Sequence, residues 1–265
     1  MIDLHCHILP GLDDGPPSLD IALKMCDIAV EDGISTIVAT PHMLNGMFNI
    51  TPQLVFDHVA EMSEALDKAS IPLTILPGAD VHVDSGLPDY LTRGDVLTLA
   101  DQHRHILLEL PQDIVPRELG GLLFQVQLKG VIPIITHPER NIEIQQNPGL
   151  LNDMIQANSL AQITADSIVG VFGSRVQECA IKLLQSRMAH LVATDAHNIE
   201  HRAPRLSQAR KIVEETIGPE ETTRIFSQWP AMILAGKHFE PPDPLMDRHE
   251  PRKKKRFWDR FLSYA

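Results

Sequence analysis

Residues 18–42, SLDIALKMCDIAVEDGISTIVATPH, contain one unit of the fold that the rest of the chain repeats. The first part has the apolar spacing of an amphipathic helix, with Ser18 placed to cap its start and Gly33 placed to end it. The β-branched run STIVAT at 35–40 then predicts a buried strand. His42 follows that strand within two residues. The unit is therefore a helix, a turn and a strand that carries a metal-ligand side chain at its carboxyl end.

Short apolar runs of the same kind alternate with amphipathic stretches over the first 240 residues. Strands are predicted at 2–7, 35–40, 73–80, 105–110, 131–136, 161–165 and 190–196. Helices are predicted at 19–33, 52–69, 116–129, 149–158, 174–187, 204–217 and 219–236. This alternation is typical of βα units and a mainly parallel sheet. Seven units favour a single α/β domain, a distorted (β/α)7 TIM-like barrel, over a small open sheet.

A proline-rich segment predicts where the barrel ends. EPPDP at 240–244 is a stiff linker signal, so we expect a barrel domain at 1–239 and a linker with a basic, aromatic tail at 240–265. Residues 247–265 carry seven Arg or Lys and three acids, a net charge of +4 within a chain of −12. The remaining 246 residues therefore carry −16, which does not favour nucleic acid as a partner.

Composition also restricts the compartment and the chemistry. No apolar run reaches the roughly 20 residues of a membrane span, and the start lacks the features of a cleavable signal. Three widely spaced cysteines, Cys6, Cys26 and Cys179, indicate a reducing cytosol and packing roles. None is followed six residues later by an arginine, which excludes cysteine-dependent tyrosine phosphatase chemistry. We expect a cytoplasmic protein.

Polar side chains recur where the predicted strands end. Barrel active sites lie at the carboxyl ends of the strands, so ligand-type residues should gather there. Any one of them alone could be a buried ion-pair partner or a core histidine, but so many at the same end indicate a site. Six strands or the loops after them supply His5, His7, Asp14, His42, Asp80, Glu109, His137, Asp195 and His197, whereas strand six supplies none.

These side chains have the chemistry of a metal cluster. In an extended strand, His5 and His7 point to the same face while Cys6 points away. Five histidines and four carboxylates are too many ligands for one tetrahedral ion, so they suit two or three divalent ions. Imidazole and carboxylate without thiolate favour Mn²⁺, Fe²⁺ or Zn²⁺. Such clusters bind phosphate and activate water for cleavage of a phosphorus–oxygen bond.

The motifs also carry a family resemblance. The H-x-H start, ATPH, the glutamate of the fourth strand, HPER and TDAHN resemble the PHP (polymerase and histidinol phosphatase) superfamily. ILPGLDDGP, THPERN, TDAHN, the length and the basic tail resemble, more narrowly, the manganese-dependent protein-tyrosine phosphatases of bacterial capsule and exopolysaccharide systems. The resemblance covers nearly the whole chain. It implies a PHP-type barrel with a trinuclear site.

The resemblance also implies how the ligands are shared. His5, His7, Glu109 and Asp195 would hold one ion, Glu109 and His137 a second, and Asp14, His42, Asp80 and His197 would surround the third. Arg140 matches an arginine of the family that contacts phosphate, and Arg202 is a second candidate for that role. Asp80 stands where these phosphatases usually carry glutamate, which puts full occupancy of the third position in doubt. Asp13 is an alternative to Asp14.

The implied function is a metal-dependent protein-tyrosine phosphatase that acts on a membrane-associated bacterial tyrosine kinase. Alternatives are a histidinol-phosphatase-like or general small-molecule phosphomonoesterase, and a non-catalytic adaptor that binds the kinase. The tail at 252–265 combines a basic run with Phe257, Trp258, Phe261 and Leu262. We expect it to contact an anionic membrane surface peripherally, with a solubilising tail as the alternative.

Overall fold

The computed structural model describes residues 1–245, and the structure contains nine parallel strands and eleven α-helices in that range. The strands are β1 Ile2–Cys6, β2 Thr36–Ala39, β3 His42–Met43, β4 Thr74–Pro77, β5 Asp80–His82, β6 His105–Glu109, β7 Ile132–Thr136, β8 Leu160–Thr164 and β9 Leu191–Ala193. The helices are α1 Leu19–Glu31, α2 Pro52–Ala69, α3 Leu87–Arg93, α4 Leu119–Leu128, α5 Ile142–Gln146, α6 Gly149–Gln156, α7 Ala165–Val169, α8 Ser174–Gln185, α9 Ser207–Ile217, α10 Pro219–Thr223 and α11 Trp229–Leu234. Short 3₁₀ turns lie at Leu99–Asp101 and Pro138–Arg140, and a π-helical turn at Arg224–Gln228 joins α10 to α11.

The strands close into a barrel. Strands β1, β2 and β4 pair in that order, and β3, β5, β6, β7, β8 and β9 pair in a second run. The first and last strands meet where Cys6 bridges Ala196 in parallel. Two backbone hydrogen bonds complete the seam, from the Asp195 N–H to the His5 carbonyl at 2.7 Å and from the His7 N–H to the Ala196 carbonyl at 2.9 Å. The predicted (β/α) barrel is thereby confirmed.

The structure differs from two of the seven predicted strands. The second, predicted at 35–40, is β2, and the separate short strand β3 begins after Pro41, which has no N–H to give to a ladder. The third divides into β4 and β5 around Gly78, where an added Cβ would lie 2.6 Å from Val38 Cγ1. These breaks bring His42 and Asp80 into register with each other on β3 and β5. Both side chains then belong to the cluster at the carboxyl ends of the strands.

The core contains the apolar side chains of the strands and the inner faces of the helices, and Cys6, Cys26 and Cys179 are buried in it as free thiols. Ser18 is the residue before α1 but its hydroxyl makes no capping hydrogen bond, which corrects part of the prediction. Gly33 has the left-handed conformation expected of a helix stop, with φ of 87°. Within residues 1–245, no helix is long and apolar enough to cross a membrane. The aromatic tail falls among residues 246–265, outside the described residues.

Candidate metal centre

The predicted site residues converge at the carboxyl end of the barrel. A cavity of about 290 Å³ opens there, and its walls include six of the nine proposed ligands and both arginines. His5, His7 and Asp80 lie beneath it, fully buried. A larger cavity of about 570 Å³ lies at the opposite end, beside His105 and the segment 238–244, and contains no convergent set of imidazoles and carboxylates. Chemistry rather than size therefore marks the site.

His5 on β1 and His7 just after it are held so that one ring nitrogen of each points to the centre. His5 Nδ1 lies 2.8 Å from Gln162 Oε1, and His7 Nδ1 lies 2.7 Å from Asp13 Oδ2. Their Nε2 atoms approach each other to 3.3 Å. His197 follows the same pattern, with Nδ1 2.9 Å from the Asp195 carbonyl. Ligating histidines usually donate their other ring nitrogen in this way.

The structure separates the two adjacent aspartates. Asp13 accepts hydrogen bonds from the N–H of His42 and of Gly15 in addition to its contact with His7. Asp14 instead points into the cavity, with Oδ1 3.3 Å from His197 Nε2 and 3.7 Å from His42 Nε2. Asp14 therefore faces the cavity beside two of the proposed ligands, whereas Asp13 is occupied by hydrogen bonds to His7 and to the backbone.

Asp80 provides the strongest sign that a cation belongs here. Its side chain is completely buried, and neither carboxylate oxygen has a hydrogen-bond partner among the described residues. Burial, with the neighbouring Glu109 carboxylate, raises its pKa well above the ordinary value. Oδ2 lies 3.6 Å from His5 Nε2 and 3.5 Å from His42 Nδ1. A buried carboxylate without donors fits a role as a metal ligand.

Glu109 occupies the centre of a second set of contacts. Its oxygens lie 3.4 Å from His42 Nδ1, 3.6 Å from His82 Nδ1 and 3.7 Å from His137 Nε2. His82 was not predicted as a site residue. It stands two positions after Asp80 on β5, the same spacing that places His5 and His7 on one face. This spacing of two residues between Asp80 and His82 can be read directly from the sequence.

Asp195 joins the histidines to the arginines. Its Oδ1 lies 3.5 Å from Nε2 of both His5 and His7. Its Oδ2 accepts from Arg140 at 2.6 Å and from Arg202 at 2.7 Å. Burial opposes ionisation, but the cationic neighbours hold its pKa well below the ordinary range. Each guanidinium also lines the cavity, so both arginines are positioned where an anion could reach them.

The HPER segment is fixed by its glutamate. Glu139 Oε1 accepts from the Thr164 N–H at 2.9 Å and from the Ser167 hydroxyl at 2.6 Å. His137, just before it, has a left-handed backbone with φ of 34°. Such conformations are stored at functional sites when the surroundings enforce them. Burial and the nearby Arg140 guanidinium lower the pKa of His137 well below its usual value, which keeps the imidazole neutral.

Three overlapping groups could each hold a metal ion. They are His7, Asp14, His42 and His197; His5, His7 and Asp80; and His42, Asp80 and Glu109. Asp80 thus groups with His5 and His7 and with Glu109, whereas the resemblance implied that it sits with Asp14 and His197. The local excess of acid is visible at His7, whose pKa is about 10 because hydrogen bonds to Asp13 and Asp195 outweigh the effect of burial. Donor type, geometry and charge all fit divalent cations.

Comparison with known proteins gives the family. The family model for capsular polysaccharide synthesis, CpsB/CapC, matches residues 1–235. The chain belongs to the CpsB/CapC family. Tyrosine-protein phosphatase YwqE of Bacillus subtilis (strain 168), a relative, is 36% identical over 249 residues, which are 94% of this chain and 98% of that protein. Tyrosine-protein phosphatase CpsB of Streptococcus agalactiae serotype III is 27% identical over 88% of this chain and 98% of that protein.

Solved structures support this CpsB/CapC assignment. A chain from the crystal structures of YwqE from Bacillus subtilis and CpsB from Streptococcus pneumoniae, described as metal-dependent tyrosine phosphatases, superimposes with a TM-score of 0.89 and 36% identity. That match covers 94% of this chain and all of the other. The lactonase Lmo2620 from Listeria monocytogenes matches with a TM-score of 0.58 and 13% identity over 89% of this chain, a likeness of fold alone.

Proposed function

We propose that this chain is a metal-dependent protein-tyrosine phosphatase of capsular or exopolysaccharide synthesis. The observation that carries the proposal is the buried cluster around Asp80 and Glu109, in which carboxylates and imidazoles converge beneath a cavity with two arginines on its wall. A chain from the crystal structures of the metal-dependent tyrosine phosphatases YwqE and CpsB shares this fold, and YwqE is 36% identical in sequence.

Different side chains have different roles in the proposed hydrolysis. Water adds to phosphorus while the bond to the tyrosyl oxygen breaks, and that oxygen takes up a proton. Bound divalent ions would supply charge stabilisation and activation of water. His5, His7, Asp14, His42, Asp80, Glu109, His137, Asp195 and His197 would hold them. Arg140 and Arg202 would donate to the phosphoryl oxygens, and Asp195 keeps both guanidinium groups beside the cavity.

The finer identity of ion and partner also belongs to the proposal. Mn²⁺ is the ion we favour, with Fe²⁺ and Zn²⁺ as alternatives, and two or three ions per chain. The substrate protein would be a membrane-associated bacterial tyrosine kinase, met at the cytoplasmic face of the membrane. Residues 252–265 could bring the enzyme there through their basic run. A histidinol-phosphatase-like activity would use the same ligands and remains the competing function.

The test uses the full chain with its metal content measured by elemental analysis. We expect Mn²⁺ to support hydrolysis of a phosphotyrosyl peptide, chelation to abolish it, and histidinol phosphate to be a poor substrate. Preference for histidinol phosphate would overturn the tyrosine assignment. Activity that survives complete removal of divalent metal would overturn the mechanism.

Glu109→Ala provides the matching test of the centre. Because Glu109 faces three histidines, its loss should reduce activity by more than about 100-fold and release bound metal, while the fold persists. Glu214→Ala, which changes an exposed glutamate on α9, is the control and should retain both metal and activity. Near normal turnover in Glu109→Ala would show that the ligand set is wrong.

A further inference from the structure

Apolar side chains lie on the loops next to the cavity of the candidate metal centre. We call them the apolar collar, and they are Met47, Phe48, Ile114, Ile142, Val171 and Phe172. They come from the segments that follow β3, β6, β7 and β8, so all lie at the carboxyl end of the barrel. Met47 is 76% exposed, Ile114 56% and Val171 54%. Among residues 1–245, eight large apolar side chains are exposed, and four of them belong to the collar.

Contacts join the apolar collar directly to the cavity wall. The Phe48 ring lies parallel to the His42 ring, with centroids 6.3 Å apart. The Arg140 guanidinium carbon lies 5.2 Å from the centre of the Phe172 ring. Both His42 and Arg140 line the cavity, so each phenylalanine adjoins the place proposed for the phosphoryl group.

Hydrogen bonds connect the loops that follow β6 and β7. Asn141 Nδ2 donates to the Ile114 carbonyl at 3.0 Å, and the Ile142 N–H donates to the Gln112 carbonyl at 3.0 Å. Asn141 and Gln112 both line the cavity. The exposed isoleucines are therefore held on a fixed part of the rim by backbone and side-chain hydrogen bonds.

The size of the cavity indicates what covers the collar. About 290 Å³ accommodates a phosphoryl group and the ring that carries it, but not the neighbouring residues of a polypeptide. Those neighbours must cross the rim. Exposed apolar groups grouped around a polar cleft mark an interaction surface. The charge of −16 over the first 246 residues disfavours substrates with acidic neighbours.

We propose that the apolar collar binds apolar residues that flank phosphotyrosine in the substrate polypeptide. The inference rests on the proposed function and adds the sequence context of the substrate. A small hydrophilic phosphomonoester would enter the cavity and leave the collar in water. The collar is thus the feature that distinguishes a protein substrate from a metabolite.

The experiment compares three substrates: a phosphotyrosyl peptide with leucine flanks, the same peptide with serine flanks, and para-nitrophenyl phosphate. The variants are Met47→Ser, Ile114→Ser and Val171→Ser, alone and combined. All three positions are exposed, so the fold should tolerate them. Leu128→Ser is the control, because Leu128 is 68% exposed on α4, outside the collar.

We expect the unaltered enzyme to prefer the leucine-flanked peptide. Each collar variant should reduce kcat/KM for that peptide, relative to para-nitrophenyl phosphate, by about three- to tenfold through KM, and Leu128→Ser should not. Equal rates of the unaltered enzyme on both peptides would overturn the proposal that the collar binds apolar flanking residues. So would a combined variant in which kcat/KM for the leucine-flanked peptide, relative to para-nitrophenyl phosphate, is unchanged. Failure of the unaltered enzyme on every phosphotyrosyl substrate would instead overturn the proposed function.

Discussion

At the scale of single residues, Gln162 determines which nitrogen of His5 faces the centre. Its Nε2 donates to the Ile163 carbonyl at 2.8 Å, which turns Oε1 toward His5 Nδ1. An amide oxygen can only accept, so Nδ1 must carry the hydrogen and Nε2 must offer its lone pair. Gln162 lies on β8, which supplies none of the proposed ligands, but it orients His5, which is one of them.

Gln162→Met tests this role, since it keeps the length of the side chain and removes the acceptor. We expect affinity for Mn²⁺ to fall about 10- to 100-fold with the fold retained. This affinity is measured by titrating the metal-free protein with Mn²⁺ and monitoring the titration by electron paramagnetic resonance. Gln127→Met, at a glutamine that bonds to the Ala157 carbonyl outside the site, is the control. Equal affinity in both variants would refute the orienting role.

Arg140 offers a second prediction at this scale. Arg140→Ala should lower kcat or raise KM by about 100-fold in total, because a charged donor to the phosphoryl group is lost. Metal content and melting temperature should change little, because Arg202 still holds the same oxygen of Asp195. Elemental analysis and thermal melting accompany the kinetics. If metal is lost together with activity, Arg140 supports the ligands rather than the substrate.

The convergence of the proposed ligands could be predicted from the sequence better than the contacts that orient them. Histidines and acids at strand ends can be recognised by type and position. Gln162 could not, because an amide inside an apolar strand has no distinguishing neighbours, and its role depends on contact with a residue 157 positions away. Asp13 and Asp14 are adjacent in a loop, so only the three-dimensional path of the chain separates their contacts.

At the scale of elements, a buried histidine just before β9 makes stability depend on pH. His190 Nδ1 accepts from the Ala161 N–H at 3.0 Å, and burial lowers its pKa to about 4. Between pH 6.5 and 4 the unfolded chain therefore binds a proton that the folded chain does not. The contribution of His190 to the free energy of unfolding therefore falls as pH falls through that window.

His190→Asn should weaken this dependence, since asparagine keeps an acceptor and does not titrate. The slope of unfolding free energy against pH should decrease by roughly 1 kcal/mol per pH unit relative to the unaltered protein. Urea unfolding at several pH values between 4 and 7 measures the slope. His103→Asn, at a histidine exposed in a loop, should leave it unchanged. An identical slope in His190→Asn would refute the assignment.

The type of a secondary-structure element could be predicted where its pattern of apolar residues was long. All seven predicted strands have counterparts, and the long helices lie where apolar spacing placed them. The short helices α3, α5 and α7 were missed because five to seven residues are too few to display a helical period. The single helix predicted at 219–236 is three segments, since a π-helical turn interrupts it.

At the scale of the whole molecule, the acidic centre couples stability to cations. The cluster brings Asp14, Asp80 and Glu109 together with Asp195, which lies beside His5 and His7, in a chain of net charge −12. Ions that bind only the folded state should raise the melting temperature as their concentration rises, by the equivalent of about 3 kcal/mol at a hundred times the dissociation constant. Thermal melting in Mn²⁺ and in a chelator measures this. If sodium chloride of equal ionic strength raised the melting temperature by the same amount, the effect would be charge screening alone.

The seam between β1 and β9 also has a consequence for the order of events during synthesis. The converging side chains run from His5 to Arg202, and the His5 carbonyl accepts the N–H of Asp195 across that seam. A nascent chain on the ribosome therefore carries its first imidazoles long before their partners exist. Contacts so distant in sequence form late. The set of converging side chains is therefore complete only after the barrel has closed, so an ion would bind a chain that has already folded and would then stabilise it.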